Sequence, residues 1–144
     1  KNNKFLEYAK VFNNFYGSSK KNVIDNLESG KNVLFDIDWQ GTEQLKNHKL
    51  NYKLITIFIL PPSIKELNDR LMNRDTNDTK NILERMKQFS SDVLKWKQYD
   101  YAVINDNLDN CLKEIMDILN SRKKNLEIKY NKLKIIEHIK KLTN

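Results

Sequence analysis

The sequence predicts an α/β fold in which a parallel sheet is flanked by helices. Three short apolar runs of strand length alternate with segments whose apolar residues recur at helical spacing. No apolar run approaches the roughly 18 residues of a membrane-spanning helix, and the single Cys111 excludes an internal disulfide. At 144 residues the chain is long enough for one domain with a substantial core. The three runs span residues 33–41, 54–60 and 101–104.

The N-terminal region is predicted to contain two helices with a loop between them. A short helix is expected over residues 5–12 and a loop over residues 13–19. A second helix, from about residue 20 to 29, would be capped by one of the two serines that close the loop and ended by Gly30. The first helix is expected because four apolar residues would share one helical face: Phe5, Leu6, Ala9 and Phe12.

The run at residues 33–41 is predicted to be the central strand, buried on both faces, with a helix following over about 41–48. Asp36 and Asp38 stand at its carboxyl end, the edge of the sheet where α/β proteins bind ligands. Since they are two residues apart, their carboxylates point to the same side of a strand. That arrangement suits a hydrated Mg²⁺ or a polar ligand. An equally open alternative is that Asp38 caps the following helix while Asp36 pairs with a nearby Arg or Lys.

The second half of the chain continues the alternation of strand and helix. The strand at 54–60 should stop at Pro61 because proline donates no backbone hydrogen bond. Ser63 and Glu66 form a capping-box pattern for the next helix. The remaining elements are expected as a helix over about 79–96, a strand at 101–104, and a helical region over about 109–142 with breaks near Ser121 and Asn131.

Most of the positive charge lies in the C-terminal region. Residues 121–144 hold 8 Lys or Arg against 2 Glu, a net charge of +6 out of +7 for the whole chain. We interpret this as a solvated helical face rather than a nucleic-acid site. The same region has an apolar face that must pack on its own domain or, less favoured, on another subunit: Leu126, Tyr130, Leu133, Ile136 and Ile139.

Several uncommon segments follow one another in a fixed order. They are Phe5-Leu6-Glu7, Asn14-Phe15-Tyr16-Gly17-Ser18, Leu34-Phe35-Asp36-Ile37-Asp38-Trp39-Gln40-Gly41, Ile57-Phe58-Ile59-Leu60-Pro61-Pro62-Ser63, Arg70 with Arg74 and Arg85, and Val103-Ile104-Asn105-Asp106. In this order they closely resemble the guanylate kinase family, the nucleoside monophosphate kinases that transfer a phosphoryl group from ATP to GMP. The resemblance covers nearly the whole chain and implies a P-loop NTPase fold of the nucleoside monophosphate kinase type.

The resemblance also implies a division of labour along a single domain, residues 1–144. Residues 1–32 would form the GMP-binding part, 33–67 and 97–144 the core, and 68–96 the lid. The family's phosphate-binding loop, Gly-x-x-x-x-Gly-Lys-[Ser/Thr], does not occur in this sequence. The chain therefore resembles the C-terminal two-thirds of a guanylate kinase with the N-terminal part missing, and alone it is expected to be inactive.

Four residues correspond to the family's GMP-binding positions. The resemblance implies that Glu7 accepts from the guanine N1–H and exocyclic amine, a pair of donors that adenine lacks. Ser18 would add a hydroxyl at the edge of the base, Tyr16 would donate its hydroxyl to the phosphate, and Asp38 would contribute on the same side. Asp36 would hold Mg²⁺ through water. The alternatives are structural: an exposed glutamate, a turn serine, a half-buried aromatic and a helix cap.

Three arginines correspond to the family's catalytic and lid positions. The resemblance implies that Arg70, Arg74 and Arg85 neutralise charge on the transferred phosphoryl group, and that Arg70, Arg74 and Asn105 bind ATP. Arginine suits this work because it stays ionised and meets two phosphate oxygens at once. The alternative is surface ion pairing with acids close in sequence. Those acids are Glu66, Asp69, Asp75 and Glu84.

The segment around Arg74 departs from the family pattern, which commonly reads Gly-Arg-Gly. Here Asn73 and Asp75 flank the arginine. Losing two glycines should stiffen the backbone, and Asp75 adds a negative charge beside the arginine. Altered lid motion is therefore expected, without loss of activity.

Taken as a whole, these features favour a cytoplasmic enzyme of purine metabolism that uses ATP, GMP and Mg²⁺. Neither nucleic acid nor a membrane is expected as a partner. The alternative is a catalytically inactive guanylate-kinase-like scaffold that binds proteins, which the retained arginines disfavour. A monomer and a homodimer are both compatible with the sequence.

Overall fold

A computed structural model describes residues 4–11, 14–74, 79–128 and 130–143. The chain forms two compact units, Lys1–Leu54 and Ile55–Asn144. The division into GMP-binding, core and lid parts is a functional one and stays a prediction.

The first unit begins with an antiparallel hairpin, where the sequence predicted a helix and a loop. Strand β1, Phe5–Val11, pairs with strand β2, Asn14–Ser19, with a register irregularity between Phe5 and Glu7. Both predictions were wrong for the same reason. Glu7 is buried beside apolar neighbours, so the alternation of buried and exposed residues typical of a strand was hidden by an acid at an inward position. Residues 12 and 13, which these predictions included, lie outside the described residues.

The helix that follows the hairpin confirms the prediction made from its ends. Helix α1 spans Lys20–Glu28, and the Ser19 hydroxyl accepts from the amide of Asn22 at 3.5 Å. Gly30 adopts a φ of 79°, which glycine tolerates without steric cost. Local capping chemistry therefore placed both ends of α1.

The run at residues 33–41 is not a strand, which corrects the prediction of a central buried one. Residues 31–38 run without regular secondary structure, and helix α2, Trp39–Asn47, follows. Every second side chain, at Val33, Phe35 and Ile37, packs on the unit's small core, whereas Leu34 is 94% exposed. The segment meets no ladder partner among the described residues. Apolar composition was read correctly, but a strand also needs a neighbouring chain, which composition does not reveal.

The second unit contains the parallel sheet that the sequence predicted. Strand β3, Ile57–Leu60, pairs in parallel with strand β4, Tyr101–Ile104. Residues 54–56 of the predicted strand stay outside the ladder, because the amide of Thr56 donates to the Asp100 carboxylate at 2.8 Å. The α/β class with parallel pairing is confirmed.

The helices of this unit follow the predicted order with different bounds. Ser63 caps the first of them, accepting from the amide of Glu66 at 3.0 Å. The predicted break near Ser121 is wrong, because helix α5 continues to Lys124 and ends where Asn125 turns left-handed at a φ of 55°. The predicted break near Asn131 is confirmed, since Asn131 caps the last helix. The elements are α3 at Ile64–Arg74, α4 at Thr79–Asp92, a 3-10 turn at Val93–Gln98, α5 at Leu108–Lys124 and α6 at Lys132–Thr143.

Helix α6 packs against its own unit, as the favoured alternative predicted. The face that it buries is Ile135, Ile139 and Leu142, whereas Leu126 and Leu133 of the predicted face are exposed. The predicted face is confirmed for Ile139, and Tyr130 and Ile136 are partly buried against the same cluster, but the prediction is wrong for Leu126 and Leu133. Residues 125–128 and 130–131 are not helical, so helical spacing cannot be carried across them from α5. The buried residues join Leu60, Val93, Trp96 and Ala102 in one cluster.

Two polar contacts hold this C-terminal segment to the sheet. His138 Nε2 lies 2.8 Å from the carbonyl oxygen of Pro61 and must carry the proton, because a carbonyl can only accept. The amide of Ala102 donates to the Tyr130 hydroxyl at 2.9 Å. The neighbouring amide of Tyr101 donates instead to the carbonyl oxygen of Thr56, on the β3 side. The Tyr130 hydroxyl therefore lies on the side of β4 that faces away from β3.

Within the described part of the chain, no helix is both long enough and apolar enough to cross a membrane.

Candidate active site

The carboxylate of Glu7 is the most unusual polar group of the first unit. Its residue is only 3% exposed, and the Ser18 hydroxyl donates to Oε1 at 2.6 Å. None of the described Lys or Arg side chains forms an ion pair with it. A buried carboxylate with a single hydroxyl donor retains acceptor capacity that folding alone leaves unused. The alternative of an ordinary exposed glutamate is therefore wrong.

Gly41 explains how helix α2 approaches this carboxylate so closely. A Cβ atom added at Gly41 would lie 2.8 Å from Glu7 Oε2, closer than a real Cβ comes. A Cβ atom at this position would force the Glu7 carboxylate or the first turn of α2 to shift. The proximity also helps the acid, because a helix N-terminus favours a negative charge.

Asp38 begins α2, which confirms the capping alternative. Its Oδ1 accepts from the amide of Gly41 at 2.9 Å and its Oδ2 accepts from Gln40 Nε2 at 3.0 Å. Each carboxylate oxygen keeps a second lone pair, so capping leaves room for the predicted GMP contact. That contact stays a prediction.

Gln44 joins α2 to the hairpin through both ends of its amide. Gln44 Oε1 accepts from the amide of Tyr8 at 3.1 Å, and Gln44 Nε2 donates to the carbonyl oxygen of Tyr8 at 2.8 Å. Tyr8 directly follows Glu7 in β1. Neither Gln44 nor the steric role of Gly41 was predicted from the sequence, where only the glycine that ends the Asp36–Gly41 segment offered a signal.

Tyr16 and Asp36 are both exposed. Tyr16 is 59% exposed on β2 and opposes Ala9, and its spacing from Ser18 puts both on the face that carries Glu7. Asp36 is exposed and forms no ion pair with the described part of the chain. The alternative in which Asp36 pairs with a nearby cation therefore finds no support there.

The donor set around Asp36 suits only a loosely held metal ion. The described residues contain no cluster of three or more His, Cys, Asp or Glu side chains that could hold one. Mg²⁺ bound to a nucleotide usually keeps several waters and takes one or two carboxylates. One exposed carboxylate fits the predicted water-mediated contact and does not fit a protein-only metal cage.

The predicted phosphate-side residues lie in the second unit. Arg70 Nε donates to Glu66 Oε1 at 2.9 Å, an ion pair one helical turn apart in which both side chains are partly exposed. Pairs of this kind contribute little to stability, so Glu66 holds Arg70 only weakly. The predicted ion-pair alternative describes the present geometry of Arg70, and its role in ATP binding stays a prediction.

Burial raises the pKa of the Cys111 thiol, and the positive charge of Arg70 opposes that rise. The negative charge of Asp106 raises the same pKa. Arg70 therefore lies within electrostatic reach of the first turns of α5. Asn105 precedes that helix, and its amide donates to the carbonyl oxygen of Leu60 at 2.8 Å, at the carboxyl end of the sheet.

Arg74 and Arg85 flank the segment predicted to be the lid tip. Arg74 is exposed at the end of α3, and residues 75–78 lie outside the described residues, as does any pairing with Asp75. Arg85 Nε donates to Asn81 Oδ1 at 3.3 Å on α4. Neither side chain is buried.

Comparison with known proteins places these residues in context. The guanylate kinase family model matches residues 1–122. Guanylate kinase from Rickettsia prowazekii is 48% identical over 119 residues, which are 83% of this chain and 59% of that protein. Guanylate kinase from Ruegeria pomeroyi is 41% identical over 137 residues, 95% of this chain and 63% of that protein.

A solved structure agrees with the sequence comparisons. The crystal structure of guanylate kinase from Anaplasma phagocytophilum matches with a TM-score of 0.67 and 31% identity, over 83% of this chain and 56% of that one. The chain thus spans between half and two-thirds of the length of these relatives. On the extent of the family match and the identities, this chain belongs to the guanylate kinase family.

Proposed function

We propose that the protein carrying this chain is a guanylate kinase, which transfers the terminal phosphoryl group of ATP to GMP. The observation that carries the proposal is the Glu7 carboxylate, buried yet bonded to one hydroxyl and to none of the described cations. Guanine presents two adjacent donors, N1–H and the exocyclic amine, that a carboxylate accepts together. Adenine offers no such pair, so the site would select GMP over AMP.

The remaining residues have complementary roles in this proposal. Ser18 holds Glu7 in place and shares the base edge, while Tyr16 and Asp38 act on the rest of GMP. Arg70, Arg74 and Arg85 neutralise the phosphates, and Asn105 contributes to ATP binding. Mg²⁺, which the family typically requires, would neutralise phosphate charge when bound with the nucleotide, and Asp36 would meet its water shell.

The scaffold alternative is not favoured, because the relatives reported above are guanylate kinases and the three arginines are present. A cytoplasmic location in purine metabolism is part of the proposal, since ATP and GMP are cytoplasmic nucleotides.

Glu7→Gln tests the proposal in the protein that carries this chain. The change keeps the size of the side chain but replaces a double acceptor with one acceptor and two donors. Hydrogen bonds to a charged group contribute about 1.5–3 kcal/mol, so GMP affinity should fall about ten- to a hundredfold. Calorimetric titration with GMP, and separately with ATP, measures the change.

Glu43→Gln is the matched control, because Glu43 is exposed on α2 of the same unit. It removes the same charge without touching the proposed base site. Undiminished GMP binding by Glu7→Gln, with Glu43→Gln also normal, would remove the basis of the proposal.

A further inference from the structure

We propose that Gln44 is a positioning residue that sets the Glu7 carboxylate for guanine recognition. The inference rests on the proposed function, since it concerns how that site is held. Gln44 does not touch the carboxylate itself. It acts through the backbone of Tyr8, the residue bonded to Glu7.

The geometry of the contact resembles a strand pairing. Tyr8 opposes Gly17 in the hairpin, yet its amide and carbonyl both bond to Gln44, at 3.1 and 2.8 Å. The side chain thus supplies the acceptor and the donor that a third strand would have offered. Two opposed hydrogen bonds to one residue fix β1 along its length as well as across it.

Gln44 and its two hydrogen bonds to Tyr8, the Gln44 clamp, lie on the same face of helix α2 as Gly41. The two residues are three apart, so they are neighbours on the helix surface. Gly41 meets Glu7 Oε2 with no room for even a methyl group. A small slide of β1 along α2 would therefore press the carboxylate against the helix or draw it away. Gln44 is placed to prevent that slide.

The clamp also connects Glu7 with the other proposed GMP acid. Gln44 Nε2 lies 3.3 Å from the carbonyl oxygen of Gln40, whose side chain donates to Asp38 Oδ2 at 3.0 Å. One helical turn thus fixes both carboxylates relative to each other. This coupling gives Gln44 a reason to affect GMP more than ATP.

Packing separates this role from general stability. The apolar residues Leu6, Val23 and Leu45 already bind β1, α1 and α2 into one core. The Gln44 contacts lie at the exposed side of that core. Losing them should loosen the register of β1 while leaving the unit folded.

Gln44→Met provides the test in the protein that carries this chain. Methionine keeps the length and the helix propensity but forms neither hydrogen bond. We expect the KM for GMP to rise about tenfold, as partial loss of a hydrogen bond between a displaced Glu7 carboxylate and the base would give, with kcat and the KM for ATP within about twofold. Amide exchange measured by NMR should become faster at Tyr8.

Two further variants sharpen the test. Gln44→Glu keeps an acceptor for the Tyr8 amide but sets an acceptor against its carbonyl, so an intermediate effect on the KM for GMP is expected. Glu43→Gln is the control and should leave both the KM and the exchange rate unchanged. If Gln44→Met does not fold, Gln44→Glu carries the same comparison.

An unchanged KM for GMP in Gln44→Met and Gln44→Glu would overturn the inference, even if Tyr8 exchange became faster, because the clamp would then be structural only. That result leaves the proposed function standing. Its own failure appears separately, as unchanged GMP binding in Glu7→Gln.

Discussion

Because Gly41 has no side chain, the Glu7 carboxylate of β1 can approach the first turn of α2 closely. The closest approach, 2.8 Å from the site of a Cβ to Glu7 Oε2, is shorter than any side chain permits. The neighbouring contact to Ile37 is 3.3 Å, so the glycine has little room to retreat. The geometry of the site therefore depends on the missing side chain of Gly41.

Gly41→Ala should therefore displace the Glu7 carboxylate. We expect GMP affinity to fall at least tenfold, and the free energy of unfolding to fall by about 1–3 kcal/mol from overpacking. Calorimetric titration and urea denaturation measure the two effects. Asn47→Ala, at the exposed end of the same helix, is the control and should bind GMP normally; equal GMP affinity in both variants would contradict the steric argument.

At the scale of elements, α3 and α4 carry arginines that contact polar side chains one helical turn away. Arg70 has a half-exposed glutamate and Arg85 an amide at 3.3 Å. Such contacts are readily exchanged for phosphate oxygens, which bind a guanidinium at two points. The lid prediction supposes such an exchange at both helices.

Replacing Arg74 or Arg85 by lysine tests that supposition. If each neutralises charge in the transition state, kcat should fall on the order of 10³-fold, by analogy with other phosphoryl-transfer arginines. Lysine recovers little because it lacks the planar two-point geometry. If the arginine forms only a surface ion pair, its replacement should lower the free energy of unfolding by at most about 1 kcal/mol and leave kcat almost unchanged. Steady-state kinetics with melting curves distinguishes them, and near-normal kcat in both variants favours the ion pair.

The connection between α5 and α6 is a second element with a measurable role. Tyr130→Phe removes the acceptor of the Ala102 amide and should lower the free energy of unfolding by about 1–3 kcal/mol. Urea denaturation measures the loss, with Tyr52→Phe, an exposed tyrosine, as the control. Equal stability of the two variants would show that the amide finds another acceptor.

The same hydroxyl makes a pH-dependent contribution. Burial is the main cause that raises the pKa of Tyr130 above its ordinary value of 10.0. The hydrogen bond from the Ala102 amide opposes the rise, and Glu114 and Tyr101 add to it. The stabilisation is thus complete below about pH 10 and is lost as pH rises through the higher folded pKa. Stability of the native chain should fall more steeply above pH 10 than that of Tyr130→Phe. Parallel curves would contradict this assignment.

Across the whole molecule, the sequence predicted what depends on neighbours along the chain. Ser19 and Ser63 cap helices as expected, and the expected break near Asn131 is present, because helix ends are decided within one turn. The parallel pairing of two apolar runs was also correct. What failed depended on distant segments: the hairpin was hidden by an inward-facing Glu7, and residues 31–38 have no described neighbour to pair with.

The site followed the same division. Glu7 and Ser18 were predicted together from the family resemblance, and their side chains do meet. Gln44 could not be predicted, because a partly buried glutamine on a helix carries no pattern of its own. Gln44 and Tyr8 lie 36 positions apart in sequence, and their contact at 3.1 Å exists only in the folded structure.

The Tyr130 hydroxyl also affects more than stability. The Ala102 amide that it binds points to the side of β4 away from β3. A strand with free amides along one side can recruit a further strand from another molecule, which is how many proteins aggregate. The Tyr130 hydroxyl binds the amide of Ala102, and its ring lies edge-on against Tyr101 at 5.4 Å. That amide is therefore not available to pair with a strand of another molecule.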